Sequence, residues 1–290
     1  MDVNVFGGTG FVGSEYCKIA QNGIVTNERE DYKVYSPDVV YFISTVDNYN
    51  VHSSPTLDID TNLIVLMKVL ENYRDYIKAS GEQGCFNFIS SWFVYGQDSG
   101  YGDKHRGIPE TDPCDPKGFY SITKRCAEQL LVSYCETFGL NYRILRLANV
   151  IGKDDKKVSA KKNALQYLLG EIAASRAIDL YDGGRFFRDY IDIRDCARAI
   201  DLVQRTGALN EIYNIGNGVP CDFRDLLEFA QQRLKSTSEF RTIAPKQFHQ
   251  KVQGSRSFYM DTTKLQSLGY SPQYSRYAMV ADICESLLSK

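Results

Sequence analysis

Tyr120-Ser121-Ile122-Thr123-Lys124 places a phenol and an ammonium four residues apart. On a helix that spacing puts both side chains on one face. A phenol of ordinary pKa, about 10, is a poor base at neutral pH. A neighbouring ammonium favours the phenolate, and an oxidised nicotinamide would favour it further. A tyrosine tuned in this way takes a proton from a substrate hydroxyl while hydride leaves the same carbon. Read alone, the spacing is weak in a chain with 20 tyrosines, where an ordinary helix-surface pair is the commoner outcome. Context strengthens it. Ser90-Ser91 follows the apolar stretch Cys85-Phe86-Asn87-Phe88-Ile89, which reads as a strand ending where a cofactor would lie. A serine there donates to the reacting oxygen; its plainer role is a strand-end cap.

The second chemical signal is Gly7-Gly8-Thr9-Gly10-Phe11-Val12-Gly13. Gly7, Gly10 and Gly13 give a G-x-x-G-x-x-G spacing between a short β-prone run, Val3-Asn4-Val5-Phe6, and a helical stretch. One glycine permits the turn, the next lets backbone approach a pyrophosphate, and the last allows close helix–strand packing. The phosphates rest on N–H groups at the helix N-terminus, where the dipole favours them. Thr9, Phe11 and Val12 complete this expected cradle. The end of the second strand selects the cofactor: an acidic residue suits NAD, and an arginine suits the 2′-phosphate of NADP. Asn27-Glu28-Arg29-Glu30-Asp31 offers both signals. Arg29 tilts the reading towards NADP, with Asn27 beside it; solvated turn charges are the alternative.

These groups need a scaffold that brings strand ends together, and the pattern supplies one. A helix is predicted over 11–21, closed by Gly23, then strands over 24–26 and 39–43. The second of these strands is nearly all apolar, as in a parallel strand covered on both faces. A long helix follows over 57–79, then the strand 85–89, a Gly- and Pro-rich loop over 96–118, a helix over 120–138 closed by Gly139, and a strand over 142–147. Alternating strands and helices predict an α/β fold, a Rossmann-type doubly wound parallel sheet with right-handed crossovers. After Gly152 the elements become shorter and mixed, which reads as a smaller C-terminal α/β lobe. The expected division is a dinucleotide-binding domain over 1–151, with returning segments near 186–215, and a substrate-binding lobe over 152–290.

Composition narrows the classes. The 290 residues carry 34 Lys+Arg against 36 Asp+Glu, for a net charge of −2, which lacks the basic excess of a nucleic-acid binder. Hydrophobic residues at 43% and charged residues at 24% are globular proportions. No apolar run reaches the roughly 20 residues of a membrane span. No basic-then-apolar leader follows the first Met, so a cytoplasmic protein is expected. The 8 cysteines are scattered without a C-x-x-C pair and read as buried free thiols, and the 3 histidines sit at no ligand spacing, so no metal site is expected.

The chain resembles the extended short-chain dehydrogenase/reductases that act on nucleotide sugars, the NAD-dependent epimerase/dehydratases. Gly7 to Gly13 is similar to that family's cofactor loop. Ser53-Ser54-Pro55 with Asn62, Ser90-Ser91-Trp92-Phe93-Val94-Tyr95-Gly96 and Pro109-Glu110-Thr111-Asp112-Pro113 resemble its later segments in order. So do Tyr120 with Lys124, Arg146-Leu147-Ala148-Asn149-Val150-Ile151-Gly152, Arg188-Asp189-Tyr190-Ile191-Asp192-Ile193, Tyr213-Asn214-Ile215-Gly216 and Leu268-Gly269-Tyr270-Ser271-Pro272. The resemblance covers nearly the whole chain. It implies Tyr120 as acid/base, Lys124 as its tuner and a ribose ligand, and Ser91 as partner of the substrate hydroxyl. It implies Ser44, Thr45 and Ile89 beside the cofactor, Trp92, Phe93 and Asn149 beside the substrate, and Arg188 and Arg256 on its diphosphate, a task suited to the guanidinium fork. The lysines 153, 156, 157, 161 and 162 either border that site or form a solvated helix start.

Departures from the family pattern carry information. Its 4,6-dehydratases have an acidic pair where this chain has Trp92 and Phe93, and aromatic rings cannot do that acid/base work. Residues 24–38 are short, as though one strand–helix unit were lost. Ser121 replaces a usual glycine. The resemblance therefore implies a nucleotide-sugar epimerase working through a 4-keto intermediate, with an NADPH-dependent 4-ketosugar reductase as the alternative. A non-catalytic dinucleotide-binding subunit is a third reading, opposed by the presence of Ser91, Tyr120 and Lys124. A nucleotide-diphosphate sugar is the expected partner, with a homodimer through helices 57–79 and 120–138.

Overall fold

The structure, a computed structural model, describes residues 2–45, 50–96, 106–153, 155, 158, 163–244 and 257–289. Its centre is a parallel sheet built from β1 (Val3–Phe6), β2 (Ile24–Thr26), β3 (Asp38–Tyr41), β4 (Cys85–Ser91), β5 (Asn141–Leu147) and β10 (Glu211–Ile215). The spatial order is β10-β5-β4-β3-β1-β2, and every pairing is parallel. Chain order reverses between β1 and β3, which opens a crevice at the carboxyl ends of those two strands. This is the doubly wound Rossmann arrangement that the alternating pattern predicts.

Alternation along the strands explains the two covered faces. Val3, Val5, Val40, Leu145 and Ile215 face one layer, made by α1 (Phe11–Ile19) and α6 (Ile193–Thr206). Phe6, Val39, Tyr41, Phe86, Phe88 and Ile144 face the other, where Leu66, Leu70 and Tyr73 of α3 (Val65–Ser80) and Ala127, Leu131 and Cys135 of α4 (Phe119–Phe138) pack. The side-chain period of two sends adjacent residues to opposite layers.

Three elements differ from the sequence reading. The first helix ends at Ile19 and is capped by Ala20, not Gly23, because Gln21 N–H bonds to Asp201 and Asn22 to Gln204, tying the turn to α6. Strand β4 runs on through Ser90 and Ser91, which pair with Arg146 and Leu147. The long helix is interrupted: a short turn α2 (Leu57–Ile59) leads into a π-helical turn (Asp60–Ile64) before α3. The extra residue in a π turn rotates the face presented by the helix, here placing Asn62 in the interior.

The lost strand–helix unit is visible. β2 is the edge of the sheet, and residues 27–37 return to β3 with no helix or strand. This strap packs Tyr32 and Val34 against the α3 layer, with Asn72 donating to Tyr32 O at 2.9 Å.

The C-terminal part has a second core. Ile151 of β6 (Asn149–Ile151), Leu165 and Leu169 of α5 (Ala164–Ala173), Ile178 and Leu180 of β7 (Ile178–Tyr181), Leu226 and Leu227 of α7 (Phe223–Arg233), and Val280 and Ile283 of the last helix (Arg276–Leu288) cluster together. β7 pairs in parallel with β12 (Phe240–Ile243), and β6 pairs with β9 (Tyr190–Asp192). β8 (Phe187–Arg188) pairs with β11 (Cys221–Asp222). No described helix is long and apolar enough to cross a membrane.

Candidate active site

The glycine loop joins β1 to α1 as a turn in which Gly10 N–H donates to Gly7 O at 3.0 Å. Gly7 adopts φ +80°, the left-handed region that favours glycine, against the backbone of Phe42 and Ile43 at the end of β3. A Cβ on Gly13 would stand 2.4 Å from Gly7 O, so only glycine lets the helix start this close to the loop. The first intrahelical bond is Ser14 N–H to Gly10 O at 2.8 Å, and no side chain caps the helix start. The backbone N–H groups of residues 11–13 therefore precede the ladder and face the crevice, as a pyrophosphate requires. The residues present fit an NAD(P) diphosphate.

At the end of β2 the side chain of Asn27 is engaged inside the protein. It accepts from Asn4 Nδ2 at 2.5 Å and donates to Lys33 O at 2.8 Å and to Asp31 at 3.3 Å. Arg29 is exposed on the same turn.

The chemistry-bearing groups meet at the carboxyl ends of β3 and β4 and on the first turns of α4. Gly118 starts α4, and Ser121 explains its own departure from the family: its hydroxyl accepts from Gly118 N–H at 2.9 Å and donates to Gly118 O at 2.9 Å, closing the first turn. The Ser91 and Ser44 hydroxyls lie beside the phenol of Tyr120. Burial pushes that phenol above its ordinary value, while the two serines pull it down. Lys124 is buried one turn further on. Its Nζ donates to Ile89 O at 2.7 Å and lies 4.5 Å from the Phe88 ring centroid. The expected electrostatic lowering of Tyr120 by Lys124 is absent in this arrangement, because the ammonium is turned to the backbone of β4 and the serines take its place.

Desolvation pulls Lys124 itself down to about 7, with Glu128 opposing the shift. The sign is that of a buried base. Between about 7 and about 10.5, the unfolded chain holds a proton on this amine that the folded one has released, so its burden on stability lightens as pH rises through that window. Wild type should therefore gain several degrees in melting temperature over Lys124→Met between pH 6.5 and pH 9.5. Parallel melting curves across that range would show that the amine is not depressed.

A buried network fixes these groups. Asn62 of the π turn accepts from Thr45 N–H and Ser44 Oγ, each at 3.0 Å, and donates to Thr45 Oγ1 and Thr123 Oγ1, each at 2.9 Å. Thr45 Oγ1 donates to Asp58 at 2.5 Å. The amide of Asn62 thus joins the end of β3 to α4, and its oxygen accepts from the Ser44 hydroxyl. Thr45, expected at the cofactor, spends its hydroxyl in this interior network. Sequence reading passed over the positioning role of Asn62; an amide within an apolar helix face was the signal.

A second network lies below. Glu128 accepts from Arg146 Nε at 3.0 Å and Nη2 at 2.8 Å, from Ser90 Oγ at 2.6 Å and from Arg125 Nη1 at 2.8 Å. Arg146 also lies 4.7 Å from the Tyr95 ring centroid, and Tyr95 donates to Asn214 Oδ1 at 2.6 Å.

Four of the expected substrate residues are described. Trp92 and Phe93 are half-buried beside Tyr120. Asn149 donates through Nδ2 to Asp189 O at 2.9 Å, holding the β8–β9 junction. Arg188 lies 4.4 Å from the Phe186 ring centroid and 5.2 Å from that of Phe258. Asp189, buried behind it, accepts from the N–H groups of Asn217, Gly218 and Met260 and pins three segments together; burial pushes it up to about 6. Arg256 and the lysines 156, 157, 161 and 162 lie outside the described residues, and Lys153 is exposed. Among the described residues, no cluster of three or more His, Cys, Asp or Glu is placed to hold a metal ion.

Three comparisons bear on this site. The model of the family described as "NAD dependent epimerase/dehydratase family" matches residues 23–216. The Low-salt glycan biosynthesis protein Agl12 of Haloferax volcanii is 25% identical over 303 residues, covering 95% of this chain and 94% of that protein. Among solved structures, the UDP-glucose 4-epimerase of Thermotoga maritima with UDP-glucose aligns with a TM-score of 0.81 at 22% identity, covering 100% of this chain and 99% of its own. RMD from Pseudomonas aeruginosa, complexed with NADPH, aligns with a TM-score of 0.79 at 21% identity, covering 100% and 99%.

Proposed function

Because the chain belongs to the NAD-dependent epimerase/dehydratase family, a family of extended short-chain dehydrogenase/reductases that use NAD(P) on nucleotide sugars, we propose that it is a nucleotide-sugar epimerase acting by reversible oxidation at C4 of the sugar. The observation that carries this reading is the Tyr120 phenol held between the Ser91 and Ser44 hydroxyls at the mouth of the crevice. NAD(P), when bound at the glycine loop, supplies the hydride acceptor and then the donor. Tyr120 takes the C4 hydroxyl proton and later returns it. Ser91 donates to the same oxygen and holds it as it becomes a carbonyl. Ser44, oriented by Asn62, keeps the phenol aimed. Arg188 offers its guanidinium fork to the sugar nucleotide's diphosphate.

A second reading is a single hydride delivery from NADPH to a 4-ketosugar. One observation favours it. The cofactor edge ends at β2 with the exposed Arg29 beside it, which suits an exchangeable NADPH. Incubation of the purified protein with C4 epimeric nucleotide sugars, with and without added NADPH, separates the two. Interconversion without net cofactor use supports the epimerase. NADPH oxidation that requires a 4-ketosugar supports the reductase. Neither outcome with any nucleotide sugar overturns both.

We read the helices 57–79 and 120–138 as a homodimer face. Ile64, Phe119 and Ile122 are 49%, 42% and 48% exposed there, more than a chain alone in water favours on adjoining helices. Light scattering should give the mass of two chains, and a charge at Ile122 (Ile122→Asp) should halve it.

A further inference from the structure

Asp58 of α2 is 1% exposed, and the donors that bind it are neutral. Its Oδ1 accepts from Thr45 Oγ1 at 2.5 Å and from Asn50 Nδ2 at 3.1 Å. Its Oδ2 has no hydrogen-bond partner among the described residues. A buried carboxylate held in this way keeps its charge uncompensated, and that charge reaches the Tyr120 phenol. Burial is the larger push upward on the phenol, and Asp58 adds to it. The cation on the same face of α4, Lys124, gives its ammonium to Ile89 O instead.

The hydrogen bonds between Asp58 and Tyr120 run one way. A carboxylate only accepts, so the Thr45 hydroxyl spends its hydrogen on Asp58. Thr45 Oγ1 then accepts from Asn62 Nδ2, which leaves Asn62 Oδ1 facing Thr45 N–H and Ser44. Ser44 has one hydrogen, and both groups it bonds are acceptors: Asn62 Oδ1 at 3.0 Å and Thr45 O at 2.6 Å. That hydrogen is held inside the network, so Ser44 turns lone pairs to the phenol beside it. Ser44 pulls on a phenolate only by swinging its hydrogen away from Asn62. Bonds aligned in one sense reinforce each other, and the Asp58 carboxylate sets that sense. Ser91 differs: its oxygen accepts from Phe93 N–H at 3.4 Å, and it keeps its hydrogen to give.

We propose that Asp58 is a positioning residue that, through Thr45, Asn62 and Ser44, holds the Tyr120 phenol as a proton donor, setting the resting site for the reducing half of the C4 chemistry. The inference rests on the C4 chemistry assigned to Tyr120. In that half, hydride passes from C4 of the reduced nicotinamide to the carbonyl carbon. The phenol O–H bond breaks and its proton goes to the carbonyl oxygen. The products are a C4 alcohol, the oxidised cofactor and a phenolate, which takes a proton back from water. The oxidising half needs that phenolate at the start, and Asp58 opposes it.

The test replaces Tyr120 in the full chain with 3,5-difluorotyrosine, whose phenol ionises at lower pH, and follows its fluorine resonance against pH. This probe reports one residue and needs no nucleotide sugar. The midpoint should lie above that of free difluorotyrosine. Asp58→Asn keeps the shape and an accepting oxygen but removes the charge, and should bring the midpoint down by about one pH unit, the size a nearby charge gives. Thr45→Val leaves the charge and cuts the chain, and should lower the midpoint by less. A midpoint at or below the free value, or one that Asp58→Asn leaves in place, overturns the inference while the C4 chemistry stands. Should Asp58→Asn fail to fold, an unmoved midpoint in Thr45→Val overturns it equally. Failure of the C4 reading shows separately, as the absence of turnover with any nucleotide sugar.

Discussion

Tyr120→Phe should lower turnover by between about a hundredfold and ten-thousandfold, the usual yield of a positioned acid/base. The substitution removes one oxygen and its proton and little else. The ring keeps its edge-on contact with Phe93, 5.9 Å between centroids, and its place on the first turn of α4. The glycine loop is untouched, so the dissociation constant for NADP⁺ should stay within about threefold of wild type by fluorescence titration. Ser91 and Ser44 then retain their hydroxyls but have no proton carrier between them. Buried serines do not substitute, because a neutral hydroxyl is a far weaker base than a phenolate. Turnover equal to wild type would remove Tyr120 from the mechanism, and a collapse of cofactor affinity would make it a structural residue. The fall should appear in kcat and in kcat/KM together, since the lost interaction belongs to the proton in flight rather than to substrate binding.

The parts of this site that could be read from sequence are those carried by local rules. The loop from Gly7 to Gly13 follows a strand and opens a helix, and that context is short-range. Tyr120 and Lys124 share a helix face through the i, i+4 geometry alone. The parallel sheet follows from alternating strand and helix signals, and the shortness of 24–38 pointed to the missing edge unit seen as the strap over 27–37. What escaped depends on contacts between distant segments. The π turn at Asp60–Ile64 leaves no mark in hydrophobic periodicity, yet it brings Asn62 to Thr45 and Thr123. Phe258 sits far along the chain from Trp92, and nothing local joins them. The direction of the Tyr120 shift was misjudged for a related reason. Spacing sets Lys124 on the right face, but the carbonyl of Ile89, supplied by β4, decides where its ammonium points.

The two networks have different duties. The Asn62 group organises hydroxyls near the Tyr120 phenol, whereas the Glu128 group fixes α4 against β4 and β5. Ser90 and Ser91 illustrate the division. As neighbours on one strand they point to opposite sides, so Ser91 serves Tyr120 while Ser90 serves Glu128. Extension of β4 through both residues is therefore a functional feature, because each serine's aim depends on its pairing with β5.

That dependence makes the buried ion pair the largest expected lever on stability. Glu128 and Arg146 are each 1% exposed at the side chain and bond through two oxygens and two nitrogens. Burial alone would push the Glu128 carboxyl up, but the hydrogen bonds and charge of Arg146, joined by Ser90 and Arg125, hold it below the usual carboxylate range. Glu128→Gln keeps the shape and removes the charge, leaving the Arg146 guanidinium buried against Tyr95 without its counter-ion. Breaking such a pair from one side costs about 3–5 kcal/mol, because the remaining charge stays desolvated. Urea unfolding should report a loss of that size for Glu128→Gln, with the slope of free energy on denaturant unchanged. Replacing both partners with apolar residues of similar volume, Glu128→Leu with Arg146→Met, should recover more than half of it, since no unpaired charge then remains. A double variant as unstable as the sum of its single changes would mean that Glu128 and Arg146 act independently, through Ser90 and Tyr95, rather than on each other.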